Sequence, residues 1–318
     1  SQWFNISAAA GKKNPRYLST AKSCLRVMST FASLMTEEEA TKLFQSLKGS
    51  LQDMKMSIDL IGTTVNALVM VTQRLSENDS NAVQNACEAW ILDVMNSCEQ
   101  TLDVFVKPNG YLPTELGRSI HTIGECMMVG FSPSESSIIS KSKKSNNIGD
   151  TSGSNLIKGL RFKPSKRLCH LLESLLLPTL PRDDNNPEVE VPSDIRAHAF
   201  VSYGKMCLRD EALARNSINI FARELLETGN TCDPAVKSNA LLVLGDFCVR
   251  YTHHVDKFLP LMASCLQPIS KSLETDSSEK IVRHHALLIL SNLILQDYIK
   301  WKGSLFYRFL AATVDEDQ

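Results

Sequence analysis

The chain has 318 residues, 43% of them hydrophobic and 22% charged, with a formal net charge of -1. That length accommodates two ordinary domains or one solenoid of several repeats. The near-neutral balance excludes a polycation or a disordered acidic tail as the whole molecule, so any nucleic-acid contact is expected to be local. No run approaches the eighteen or so uninterrupted apolar residues of a membrane helix, and the first residues lack the charged, apolar and small series of a signal peptide. The sequence therefore reads as soluble and not secreted. It begins at Ser1 and stops at Asp315, Glu316, Asp317 and Gln318 just after a helical pattern, which reads as an internal fragment of a longer protein.

From Ser1 to Met35 there are five basic residues (Lys12, Lys13, Arg16, Lys22, Arg26) and no acidic one. Tyr17 to Met35 reads as a helix with Leu18, Cys24 or Leu25, Met28, Phe31 and Leu34 on its inner side. Thr36 and Glu39 form a capping-box pattern that opens a helix running to about Met54. Ser57 to Leu75 reads as its partner, with Ile58, Ile61, Val65, Leu68 or Val69 and Thr72 at helical spacing. Asn81 to Val106 follows, carrying Val83, Ala86 or Cys87, Trp90, Val94 and Cys98, and ends before the loop signal Lys107-Pro108-Asn109-Gly110. Pro113 to Val129 is the next predicted helix, and its Ile123-Gly124-Glu125 resembles Leu244-Gly245-Asp246.

Phe131 to Lys158 changes character, with Ser, Asn, Lys and Gly dominant, and reads as an exposed connection. From Lys141 to Arg167 eight basic residues stand against Asp150 alone, a local net of +7 that leaves -8 for the remainder. Ser165 to Leu180 reads as a helix closed by Pro178 and Pro181, and Arg182 to Val191 as a short acidic linker.

Three copies of one pattern follow. Val236, Ala240, Leu244, Phe247 and Tyr251 recur at spacings of three and four, behind Asp233 as a cap and Pro234 at the first helical position. Ile195, Ala199, Tyr203 and Met206 repeat the pattern before it, and Val282, Ala286, Leu290 and Leu293 after it. Each copy has a basic residue after its first apolar position (Arg196, Lys237, Arg283) and a small one after its third (Gly204, Gly245, Ser291). The copies lie about 41 and 46 residues apart, near the period of helix-pair repeats of the HEAT and armadillo kind. Second helices are predicted from Asp210 to Leu226 and from Val255 to Leu266. The expected fold is all-α, an α-solenoid of HEAT-type repeats wound as a right-handed superhelix. Its expected parts are N-terminal repeats over 1–130, a basic Ser/Lys-rich loop over 131–162 and further repeats over 163–318.

The chemistry-bearing patterns are few. The nine cysteines are odd in number, show no C-x-x-C pair and mostly fall inside helical patterns, so buried reduced thiols are expected in place of zinc sites or disulfides. Adjacent helical residues point about 100° apart, so His253-His254 and His284-His285 are expected not to chelate a metal. There is no P-loop, no His-Glu dipeptide of the kind found in di-iron enzymes on HEAT-like repeats, and no nucleophile with a recognisable base. No catalytic residue, metal or cofactor is therefore expected. The candidate contacts for DNA or an acidic partner are Lys141, Lys143, Lys144, Lys163, Lys166 and Arg167, with a solvated linker as the alternative reading. Serines beside these, including Ser132 before Pro133, are weak candidates for phosphorylation, which would cancel that charge. Lys300 and Lys302 flank Trp301 and precede Phe306, Tyr307 and Arg308, a basic and aromatic interleaving that nucleic-acid surfaces share with ordinary core. Leu305, Phe306, Phe309 and Leu310 are spaced like core. Trp301 is the candidate protein-partner contact.

The segment from Val191 to Asp317 resembles a known family, the D-type HEAT-repeat subunits of condensin, and among them the condensin II version. The strings that carry the likeness are VPSDIRAHAFVSYGKMCL, DPAVKSNALLVLGDFCVRYTHHVDKFLP, IVRHHALLILSNLILQD and, most specific, YIKWKGSLFYRFLAATVD. The chain departs from the family at Ile269 to Lys280, where a longer Ser-rich stretch replaces a short turn containing Asp-Pro. The resemblance implies a non-catalytic subunit that attaches to a kleisin chain beside structural-maintenance-of-chromosomes (SMC) ATPase heads. It further implies contact with DNA or nucleosomes, including histone tails, and residence in the nucleus on chromosomes. It implies no membrane and no small-molecule substrate. The rival readings are a transport receptor or adaptor of the importin or adaptin type, and an enzyme on a repeat scaffold.

Overall fold

A computed structural model describes residues 15–77, 79–106, 113–131, 162–180, 189–227, 233–267, 277–300 and 303–313. Within these residues the chain is all-α apart from one two-stranded ribbon, Thr179–Leu180 with Val189–Glu190. It divides into two compact units, Ser1–Leu175 with Leu180–Val189, and Leu176–Thr179 with Glu190–Gln318. The basic stretch at 132–161, with Lys141, Lys143 and Lys144, lies outside the described residues, as do Trp301 and Lys302.

In the first unit, α1 (Pro15–Thr30) leads through a 3-10 turn (Ala32–Leu34) into α2 (Glu37–Gln52). Three helices follow, α3 (Ile58–Leu75), α4 (Ser80–Val106) and α5 (Pro113–Met128). The capping box forms as expected: the Glu39 N–H donates to Thr36 Oγ1 at 3.3 Å and the Thr36 N–H to Glu39 Oε2 at 3.0 Å. The Thr36 N–H, together with the Thr36 hydroxyl that donates to the same Oε2 at 2.9 Å, holds the Glu39 carboxyl below its usual range. Helix α3 packs against α1, α2 and α5, and Ile61, Val65, Leu68 and Thr72 are buried as its spacing predicts, whereas Ile58 is only half-buried and Leu60 is buried in the first turn. The long α4 packs Val83, Cys87, Trp90, Val94 and Cys98 inward, again as spaced.

The reading of α1 is corrected in part. Leu25 is buried, but Cys24 is exposed, and Phe31 and Leu34 are 53% and 77% exposed. The helix stops at Thr30, so the register that pointed Phe31 and Leu34 inward is broken and Ala32 takes the buried place. Helix α2 ends in a Schellman cap: the Lys55 N–H donates to Ser50 O and the Met54 N–H to Leu51 O. Met54 stands at φ 52°, and its carbonyl accepts a 2.8 Å bond from Arg118 Nη1 on α5, which ties that helix to the cap. The unit closes with α6 (Lys166–Ser174), shorter than the predicted Ser165–Leu180. Pro178 disfavours helical backbone at the residue before it, and Thr179–Leu180 is extended.

The second unit contains the three copies, and their first helices are α7 (Ser193–Arg209), α9 (Pro234–Arg250) and α12 (Ser277–Leu295), with α8 (Glu211–Leu226) between the first two. Helix α9 packs against both α7 and α12, so equivalent helices stack in succession, as HEAT-type repeats do. Every apolar position of the repeat pattern is buried in all three copies. The second helix expected from Val255 to Leu266 is instead three pieces, α10 (Thr252–Val255), a 3-10 turn (Asp256–Phe258) and α11 (Leu259–Ser264). Pro260 lacks an N–H to continue a helix and sits in the first turn of α11, where none is needed. The chain ends its described part with α13 (Gly303–Thr313), in which Leu305 is buried but Phe306 and Leu310 are exposed, correcting their reading as core.

In the first two copies the structure explains both recurring residues of the pattern. A Cβ on Gly204 would lie 2.4 and 2.7 Å from the two γ-methyls of Val243, and one on Gly245 would lie 2.7 Å from an Ile289 methyl. The small residue is therefore the point at which neighbouring repeats touch backbone to side chain. The basic residue caps a carbonyl left open after the preceding helix: Arg196 Nε donates to Leu176 O at 3.2 Å and Lys237 Nζ to Glu227 O at 3.0 Å. Arg196 also donates through Nη2 to Glu224 Oε2 at 3.0 Å, in a pair whose side chains are only 7% and 9% exposed. Burial raises the Glu224 carboxyl and Arg196 opposes that rise. An aromatic series, Phe200, Phe221, Phe247 and Tyr251, runs through the unit with ring centroids 5.5–6.2 Å apart. Tyr251 donates its hydroxyl to Leu208 O at 2.9 Å, and Asn239 Nδ2 donates to Ala197 O at 2.9 Å, both across one repeat period.

Helix α12 also ends in a Schellman cap, with the Tyr298 N–H on Leu293 O at 2.9 Å and the Asp297 N–H on Ile294 O at 3.0 Å. Asp297 occupies the left-handed position at φ 62°.

Three outcomes are expected in urea denaturation of the purified chain. Gly204→Ala loses about 1–3 kcal/mol, because Val243 is stiff and has to be displaced; an unchanged midpoint would refute the close approach. Arg196→Met loses about 3–5 kcal/mol by stranding buried Glu224, and adding Glu224→Leu recovers most of it. If the double variant is no more stable than the single, the pair is not the cause. Asp297→Gly gains about 1 kcal/mol by relieving the left-handed side chain, and a loss there would count against the cap.

Candidate partner-binding surface

The basic candidates that the structure describes fall in both units, Lys163, Lys166 and Arg167 in the first and Lys300 in the second. Ser165 caps α6, accepting from the Leu168 N–H at 2.9 Å while donating its hydroxyl to Glu99 Oε2 at 2.6 Å. Arg167, in the first turn of α6, pairs with Asp103 and lies 3.9 Å from Glu99, both on α4. Its charge is thus offset by two carboxylates, and its geometric task is to fasten α6 to α4. Lys163 and Lys166 are exposed at the start of the same helix. Lys300 is exposed in the second unit, directly after the cap of α12, where buried Ile299 anchors the turn. Arg308 on α13 donates through Nη1 to Pro260 O at 3.2 Å. Phe306 and Tyr307 are exposed beside it with ring centroids 6.0 Å apart.

Two features were not read from the sequence. Helix α12 carries an exposed apolar stripe, Ile281, Leu288 and Leu295, at intervals of seven, with Leu295 84% exposed. The signal was present as a heptad spacing, hidden because the buried set Val282, Ala286, Leu290 and Leu293 accounts for the helix without it. Arg209 and Arg250 end α7 and α9 at the repeat period of 41, each placed where a helix C-terminus favours a cation. Burial, with the neighbouring Arg250 second, pushes Arg209 down to about 10.

Cys87, Cys98, Cys126, Cys207, Cys248 and Cys265 are buried and unbridged. Burial pushes Cys126 and Cys248 up to about 12 and Cys87 to about 11, far from the range of a reactive thiolate. The histidine doublets differ from expectation in one place: the His253 and His254 rings come to 3.8 Å between centroids, and both Nε2 atoms approach Glu211. Among the described residues no helix is long and apolar enough to cross a membrane.

Comparison with known proteins agrees with the repeat architecture. Residues 161–225 match the family described as condensin-2 complex subunit D3-like HEAT repeats, and residues 235–318 match that of the non-SMC mitotic condensation complex subunit 1. The chain is 27% identical to the condensin-2 complex subunit D3-L of Xenopus laevis over 94% of its own length and 19% of that protein's. It is 30% identical to the mouse condensin-2 complex subunit D3 over 92% of its length and 18% of that protein's. With the Arabidopsis thaliana condensin-2 subunit CAP-D3 the identity is 35% over 38% of the chain. The chain spans about a fifth of the length of the first two relatives. The first match covers the helices whose buried Arg196–Glu224 pair closes one repeat, and the second covers α9, α12 and α13. The chain belongs to the condensin D-type HEAT-repeat family, and its likeness to the condensin-2 D3 proteins runs through both of its units.

Proposed function

We propose that the chain is a scaffold segment of a non-catalytic condensin II subunit, which binds the kleisin beside the SMC ATPase heads and helps engage DNA or chromatin during mitotic chromosome condensation. The observation that carries this reading is the agreement between the family matches over 161–225 and 235–318 and the buried repeat pattern over the same residues. Residence in the nucleus on chromosomes follows from the same reading. The absence of a recognisable nucleophile and base in the sequence, together with thiols that burial keeps protonated, supports a non-catalytic role.

The exposed stripe Ile281, Leu288 and Leu295 supplies apolar anchor positions of the type a bound segment covers. Trp301 is the further proposed protein contact. For DNA the proposed contacts are Lys141, Lys143, Lys144, Lys163, Lys166, Lys300 and Lys302, with Arg167 a weaker one because Glu99 and Asp103 already hold it.

The test is a pull-down of the purified chain against the kleisin and the ATPase heads separately, with DNA shifts at two salt concentrations. Kleisin capture is expected from the wild type and is expected to be abolished in Leu288→Glu/Leu295→Glu. Lys141→Glu/Lys143→Glu/Lys144→Glu is expected to weaken DNA binding and to flatten its salt dependence by about 0.9 in log-log slope for each phosphate no longer neutralised. An unaltered slope would return that stretch to solvated linker, and capture of a GTPase instead of the kleisin would favour the transport class.

A further inference from the structure

One cluster in the second unit is used by neither the packing nor the proposed partner surface. Glu211 is the first residue of α8, and Asp210 fixes its backbone by accepting from the Ala212 and Leu213 N–H groups at 3.0 and 3.2 Å. His253 and His254 lie in α10, one repeat period further along the chain. His254 Nε2 is 3.2 Å and His253 Nε2 3.6 Å from the same oxygen, Glu211 Oε1. The ligand-capable atoms of all three side chains lie within 4.8 Å of one another. His254 is only 19% exposed and rests against the Tyr251 ring at 6.3 Å, while Glu211 and His253 open to solvent.

We propose that Glu211, His253 and His254 form a surface site for a divalent transition cation, zinc by preference, that clips the start of one repeat's second helix to the corner of the next repeat. Two imidazoles and one carboxylate are the donor set of three-ligand zinc sites, whereas calcium and magnesium call for oxygen ligands throughout. With zinc–ligand bonds of about 2.0–2.2 Å in tetrahedral array, neighbouring donors stand about 3.3–3.5 Å apart. The separations of 3.2 and 3.6 Å from Glu211 Oε1 bracket that edge. The objection that adjacent helical histidines diverge loses its force in a helix of four residues, where the two rings stand 3.8 Å apart. The fourth coordination position faces solvent, open to water or to a donor from another molecule. The His284-His285 doublet, with ring centroids 6.3 Å apart and no such carboxylate group among the described residues, is the internal control.

The experiment uses the tag-free chain stripped with chelator and titrated with zinc against a chromophoric competitor. One equivalent is expected for the wild type and for His284→Ala/His285→Ala. That equivalent is expected to disappear in His254→Ala, and in Glu211→Gln, a substitution at an exposed residue that leaves the helix start intact. Zinc should also raise the thermal midpoint of the wild type and not that of Glu211→Gln. If the wild type takes up no more zinc than the Glu211→Gln/His253→Ala/His254→Ala variant, or if Glu211→Gln keeps the equivalent, the cluster is only a polar contact and the site is overturned.

Discussion

The second unit depends on one close approach, made where a glycine of one helix meets a branched side chain of the next. At Gly204 the neighbour is Val243 and at Gly245 it is Ile289, with no room at either for a Cβ. That proximity brings the buried stripes of α7, α9 and α12 into contact, and it brings each carbonyl left open after a preceding helix within reach of the next basic side chain. The bonds that span one period, Asn239 to Ala197 and Tyr251 to Leu208, follow from the same spacing. A solenoid gains stability from nearest-neighbour interfaces more than from any one central core, so a constraint repeated at each interface governs the unit.

The buried pair Arg196–Glu224 belongs to this arrangement and has a specific consequence. Desolvating both charges costs several kcal/mol per ion before their attraction is counted, so the pair adds little net stability over an apolar substitute. What it supplies is direction: Arg196 donates to Leu176 O and Glu224 while its guanidinium lies over the Phe200 ring, 5.9 Å from the centroid, a combination that ties α7 to one register against its surroundings. Lys237 performs the carbonyl part of this task in the next copy, with no acid paired to it among the described residues. The repeat thus keeps the cap and varies its counter-ion.

Periodicity made the fold legible. Every position marked by the apolar spacings of three and four in the three copies is buried, although Phe200, Cys207, Leu241 and Cys248 are buried beside them, and the Thr36–Glu39 box fixed the start of α2 to the residue. Errors arose where a local break overrode the period. Phe31 and Leu34 continue the spacing of α1 but lie past its end at Thr30, Pro178 stops α6 early, and Pro260 restarts a helix in the middle of a predicted one. Sequence spacing also cannot reveal that Arg167 is held by Asp103 and Glu99, because those partners lie some 64–68 residues away. Charge runs therefore overstate a binding surface wherever the fold supplies a nearby acid.

The histidine doublets show the same limit from the other side. Both are adjacent pairs in sequence, and angular spacing on a regular helix treats them alike. They differ because His253-His254 occupies a four-residue helix at a corner, one period beyond Glu211, whereas His284-His285 sits inside the long α12. In a repeat architecture, residues about one period apart are spatial neighbours, so the informative spacing is near 42 and not within a single turn. The same arithmetic pairs Asn239 with Ala197 and Arg209 with Arg250. Polar clusters of such a chain are best sought by overlaying consecutive copies, since the interfaces that hold the repeats together also bring their side chains into one site.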